Sequence, residues 1–159
     1  PVSPGAASCH STGAPTALGA AAAGKVYMVG YSHPNHEGPI NAIVRGFKAR
    51  FNDNMYTGSV NHGFSMLTEA FQRAKSTDPV KVAAAMEGMK FKSFNGEVEM
   101  RKADHQLQQG LYITRWEKAD AKHPLDAENT GHTFVPVKYY EPYVASTPTS
   151  CQMKRPSCP

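Results

Sequence analysis

The feature that most constrains this chain is the run Val26-Tyr27-Met28-Val29, closed by Gly24 before it and by the loop Ser32-His33-Pro34-Asn35 after it. Four apolar residues without polar alternation describe a strand covered on both faces, as in the parallel sheets of α/β folds. A strand of that kind needs neighbours on both edges, because an exposed apolar edge is a template for aggregation. Sequence order supplies no such neighbour. The run is therefore read as one parallel-type strand of an incomplete sheet whose remaining strands belong upstream in a longer protein.

Three helices follow. Pro39 suits a first helical position, and Ile40, Ile43, Val44, Phe47 and Phe51 recur at three- and four-residue intervals, which predicts a helix to about Asn52. Val60, Phe64, Leu67, Phe71 and Ala74 mark a second helix that begins near Ser59, whose hydroxyl is placed to cap it. Asp78-Pro79 supplies an N-cap and a first-turn proline for a third, with Val82, Ala83 and Met86 inside and Gly88 as its stop. Asn95-Gly96 signals a turn. Alternation around Val98 and Met100, and again from Leu111 to Trp116, predicts an antiparallel strand pair. From Ala119 onward prolines and polar residues dominate and read as a long tail.

Residues 1–24 are rich in Ala, Gly, Pro, Ser and Thr and carry no charge, so little there offsets the entropy of ordering. They are expected to be a disordered leader, with an ordered body over 25–155 and a short tail at 156–159. Seventeen Lys and Arg against thirteen Asp and Glu give a net charge of +4, but these residues are scattered, and a phosphate-binding surface needs a stripe of them. No nucleic-acid partner is expected. No apolar run is long enough to span a bilayer, so direct membrane insertion is not expected either.

Of the three cysteines, Cys151 and Cys158 fit a small disulfide loop or two free thiols equally well, and no CxxC pair supports zinc. His33 and His36 resemble a metal pair, but Pro34 interrupts regular geometry and no further ligand cluster follows; a polar hinge loop is the better reading, and no metal or other cofactor is expected. Glu97 and Glu99 share one face of a strand and read as a solvated polar face, not an acid/base pair. Neither a serine elbow nor a scaffolded cysteine nucleophile is present, so no catalytic residue is assigned. The methionines at 28, 66, 86, 89 and 100 read as core packing.

The order of Gly24-Lys-Val-Tyr-Met-Val, Gly38-Pro-Ile-Asn, Tyr56-Thr-Gly-Ser-Val-Asn-His-Gly-Phe, Asp78-Pro-Val-Lys-Val-Ala, Gly88-Met-Lys-Phe, Phe94-Asn-Gly-Glu-Val-Glu-Met-Arg, Asp104-His-Gln, Tyr112-Ile-Thr-Arg-Trp and Lys138-Tyr-Tyr-Glu-Pro-Tyr resembles the C-terminal third of the leucine/isoleucine/valine-binding periplasmic proteins. The likeness covers residues 24–155. It implies an α/β fold, here an incomplete piece of two lobes joined by three crossing segments that close over a ligand. By the same resemblance, residues 26–31 form a second-lobe strand, 32–36 a crossing, the three helices and the strand pair part of the first lobe, and 115–118 the last crossing, after which the tail returns to the second lobe.

The resemblance also implies that Asn61 lines the ligand cleft; Asn61 and His62 stand at a helix N-terminus, where backbone N–H groups and the dipole favour an anion, with capping or a solvated position as the alternative, and Tyr31, at the end of the first strand, is the third candidate ligand contact. Family members commonly carry a Tyr where this chain has Asn61. The exchange of a flat ring for an amide alters the wall offered to an aliphatic side chain. The groups that clasp the ligand's carboxylate and amino ends belong to segments upstream of this chain. The implied function is capture of a branched-chain or related amino acid outside the cytoplasm, in the periplasm, and its delivery to the membrane permease of an ABC importer, without chemical change. Another small solute, such as an amide or aromatic acid, or a sensing or structural role without transport, are the alternatives.

Overall fold

The structure, a computed structural model, describes residues 13–54, 58–93, 96–144, 146–150, 152 and 154, apart from the side chains of residues 39 and 58–61. All three cysteines lie outside the described residues, and with them the question of a Cys151–Cys158 disulfide. Two units divide the chain, one of residues 1–56 and 111–140 and the other of 57–110 and 141–159.

In the first unit, α1 (Ala14–Leu18) and a 3-10 turn (Ala20–Ala22) lead into β1 (Tyr27–Gly30), and α2 (Pro39–Phe51) follows. β5 (Leu111–Lys118) and β6 (His132–Tyr140) complete a three-stranded sheet in the order β1-β5-β6. The partner that sequence order withheld from β1 is thus β5, and the pairing is antiparallel, with Tyr27 opposite Arg115 and Gly30 opposite Tyr112. The expectation of a parallel-type strand is corrected on the edge that this chain supplies. Antiparallel pairing here needs no crossover helix, because β5 returns from the second unit in the opposite sense.

The tail expected after Ala119 contains β6, a nine-residue strand. Its ladder with β5 shifts register between Ile113 and Thr114, which face Lys138 and Pro136, so Val137 is the extra residue of a bulge. A proline lacks the N–H that a ladder requires and is tolerated in a strand at a sheet edge or a bulge; Pro136 has both.

The segment 13–24 departs from the disordered leader that its composition predicts. Leu18, Ala22, Ala23 and Val26 pack on a core of Met28, Trp116, Ala127 and Phe134. Trp116, wholly buried, donates its indole N–H to the Gly19 carbonyl at 2.9 Å, and its own carbonyl accepts from the Gly24 amide at 2.8 Å. Glu128 accepts from the amides of Gly13 and Thr16 and from the Thr16 hydroxyl. Residues with little apolar area of their own are therefore ordered by groups about a hundred positions away.

The second unit holds α3 (Gly58–Ala74), α4 (Pro79–Met86), β2 (Lys90–Ser93), β3 (Gly96–Met100) and β4 (Leu107–Gln108). The three strands pair in order as an antiparallel sheet. Asp78 caps α4 as expected, its Oδ1 accepting from the amides of Val80 and Lys81 at 3.0 Å each, and Gly88 takes the left-handed conformation (φ 69°) that ends the element. The strand pair expected from the alternating runs is redistributed: β3 pairs with β2 and β4, whereas β5 belongs to the sheet of the first unit. β2, the missed partner, reads Lys90-Phe-Lys-Ser and faces Glu99, Val98, Glu97 and Gly96 in turn. Opposite charges across that ladder, with Lys90 Nζ at 3.5 Å from Glu97 Oε1, give Glu97 an ion-pair partner on a solvated face.

The crossings fall elsewhere than the resemblance implied. β1, residues 32–36 and α2 lie in one unit, and the chain changes unit at 56/57, 110/111 and 140/141. Residues 115–118 are inside β5.

Candidate functional site

α3 forms because Met66, Leu67, Ala70 and Ala74 line one face at helical spacing and bury it against Val82 and Met86 of α4, Phe91 of β2 and Val98 and Met100 of β3. His62, 2% exposed, precedes Met66 by one turn and Ala70 by two, so it shares their face. Burial lowers its pKa below the ordinary 6.5, which keeps the ring neutral at pH 7. Asn61 lies beside it in the first turn of α3, where amide N–H groups lack partners within the helix and the dipole is positive. The Asn61 side chain is outside the described set. Tyr31, half-buried, immediately follows β1 and belongs to the first unit, so the three candidate residues are divided between the two units.

Sequence reasoning treated residues 32–36 as a crossing loop; the structure makes them a packed cluster. His33 and His36 stack with ring centroids 4.1 Å apart, and both meet Tyr112 of β5 edge-on, at 4.8 and 5.5 Å. Tyr112 in turn packs on Tyr139 of β6 at 4.8 Å. Asn35 between the histidines reaches the segment after β5, donating to the Leu125 carbonyl and the Thr133 hydroxyl at 3.0 Å each and accepting from the Leu125 amide at 2.8 Å. The run His33-Pro34-Asn35-His36 is visible in the sequence, but the partners of Asn35, 90 and 98 positions away, are not. No group of three or more His, Cys, Asp or Glu suited to a metal occurs among the described residues.

The family described as "Periplasmic binding protein" matches residues 6–122, and the chain belongs to that family. Among solved structures it is similar to the leucine-, isoleucine-, valine-, threonine- and alanine-binding protein of Brucella ovis in a closed conformation, at 23% identity and a TM-score of 0.76, covering 92% of this chain and 39% of that one. It also resembles an ABC-type branched-chain amino acid transporter protein of Rhodopseudomonas palustris at 30% identity, with a TM-score of 0.61 and coverage of 80% and 34%. A third is an ABC transporter solute-binding protein of the same species in complex with 3,4-dihydroxybenzoic acid, at 23% identity and a TM-score of 0.63, covering 77% and 32%. The chain thus spans 32% to 39% of the length of these structures. Curated proteins give no match. No helix among the described residues is long and apolar enough to cross a membrane.

Proposed function

We propose that this chain supplies one wall of the ligand cleft of an extracytoplasmic solute-binding protein that hands a branched-chain or related amino acid to the permease of an ABC importer. The observation that carries this reading is the family match over residues 6–122, which includes the start of α3. At that helix end, backbone N–H groups and the dipole favour the negative end of a small solute. Recognition by shape and hydrogen bonds leaves the ligand chemically unchanged, so the protein is a binder and not an enzyme. Asn61, His62 and Tyr31 are the residues assigned to the ligand. An aromatic acid is the second reading, favoured by the likeness to the protein that holds 3,4-dihydroxybenzoic acid and by an amide, in place of a ring, at position 61.

A chimera tests this. Residues 26–140 replace their counterpart in the Brucella ovis protein, and leucine and 3,4-dihydroxybenzoate are titrated by calorimetry. The chimera is expected to bind one of them saturably, and Asn61→Tyr to raise leucine affinity about tenfold or more, since a ring that covers an aliphatic ligand contributes roughly 1–3 kcal/mol. A folded chimera that binds neither solute contradicts the proposal. Equal leucine affinities with Asn and Tyr at 61 remove that residue from the cleft wall.

A further inference from the structure

We infer that Arg101 and Asp104, in the turn between β3 and β4, form a clasp that seats residues 146 and 147 and so fixes where the chain, once past β6, joins the second unit. The guanidinium serves two clients at once. Arg101 Nη1 donates to the Thr147 carbonyl at 2.9 Å and to the Ser146 hydroxyl at 3.3 Å, while Nη2 lies 3.2 Å from Asp104 Oδ2. A planar fork can hold a carboxylate with one nitrogen and aim the other at a backbone carbonyl in a fixed direction. A lysine ammonium, a point charge on a flexible stem, cannot divide its donors in that way.

The turn that carries the clasp is braced before the tail arrives. The Arg101 amide donates to the Gln106 carbonyl and the His105 amide to the Arg101 carbonyl, at 2.9 Å each. Asp104 Oδ1 accepts from the Gln106 amide at 3.1 Å, so both oxygens of that carboxylate are engaged within the turn. His105 Nε2 stands 3.0 Å from Oε1 of Glu87, the residue after α4, which ties the turn to the helix. The side chains of Arg101 and Asp104 are only 15% and 8% exposed, so water and salt screen the pair less than they screen one at the surface. Asp104 is thus a positioning residue: it touches neither Ser146 nor Thr147 but sets the plane of the group that does.

Apolar burial does little of this work. Tyr143 and Val144 are each 66% exposed, and Glu141, Ser146, Thr147 and Pro148 are exposed as well. The bonds from the Val144 amide to the Glu141 carbonyl and from the Ser146 amide to the Tyr143 carbonyl tie the segment only to itself. Thr149 has a further interaction of its own, so the clasp concerns residues 146 and 147 and not the course of the chain beyond them. Ordering a polar, exposed segment costs conformational entropy at every residue, and charge-assisted hydrogen bonds are the strong ones available to offset it here. With the seat taken, the link from β6 ends at Ser146; with the seat lost, the segment swings free of the turn.

Backbone NMR order parameters of the full chain test this. In the unaltered protein the amides of Ser146 and Thr147 are expected near the value of about 0.85 that marks rigid backbone, as is that of Val98 in β3. Arg101→Ala and Arg101→Lys should both lower the two tail amides below about 0.6, the flexible range, and leave Val98 unchanged. Asp104→Ala should loosen the same two amides although it removes no atom that touches them. Tail amides that are mobile in the unaltered chain, or equally rigid in Arg101→Ala, overturn the clasp. Equal rigidity in Arg101→Lys or Asp104→Ala overturns the role given to the oriented fork. Should the variants not fold, the unaltered chain decides: a nuclear Overhauser contact between the Arg101 side chain and Ser146, with rigid amides at 146 and 147, supports the clasp, and its absence overturns it.

Discussion

At the scale of single residues, local chemistry was legible and distant chemistry was not. Asp78 before Pro79 announces its cap because donor and acceptor lie within three positions. Trp116 announces nothing about Gly19, 97 positions away, although its indole N–H fixes the segment 13–24. Trp116→Phe should keep most of the apolar volume but leave the Gly19 carbonyl without its donor, at a cost of about 1–3 kcal/mol. Limited proteolysis should then cut within 13–24 at lower protease concentration than in the unaltered chain, and denaturant melts should shift in step. An unaltered cleavage pattern would mean that Glu128 and the apolar contacts hold the segment without the indole. At position 61 the exchange of an aromatic ring for an amide is what the resemblance implies, and the chimera with Asn61→Tyr measures its consequence.

At the scale of elements, periodicity located α2, α3 and α4 but not α1, and it misplaced the faces of two of them. In α2, Ile40 and Val44 are buried, whereas Ile43 and Phe51 are each 55% exposed. In α3, Phe64 is 68% exposed, while the buried line runs His62, Met66, Ala70. A stripe read from large apolar residues overlooks a buried histidine and an alanine, and so rotates the predicted face. Met66→Ala should therefore cost about 2–5 kcal/mol in a denaturant melt and Phe64→Ser less than about 0.5 kcal/mol. The reverse ranking would restore the face that periodicity suggested. β6 reads as tail in the sequence because Pro136 demotes a strand, and β2 is missed because Lys90-Phe-Lys-Ser is too short and too polar to stand out. Both strands are set by their partners. β1 was identified, but the direction of its pairing depends on β5, more than eighty residues later, which its own apolar run does not encode.

At the scale of the whole molecule, the resemblance named the family and its fold class, and it misplaced the crossings because the likeness of short motifs does not state which unit an element joins. The units change at 56/57, 110/111 and 140/141, and the candidate ligand residues are shared between them. The chain covers 39% of the Brucella ovis protein, 34% and 32% of the two Rhodopseudomonas palustris proteins. A zwitterionic ligand needs its carboxylate and amino group answered by polar partners, and a binding site that buries such a solute needs more than one wall. On the proposed function, this chain provides one wall only. Calorimetric titration of leucine, isoleucine and valine into the purified chain tests it most directly: no saturable heat is expected up to millimolar ligand, which corresponds to binding weaker than about 4 kcal/mol. Tight, stoichiometric binding of any of the three would contradict the claim.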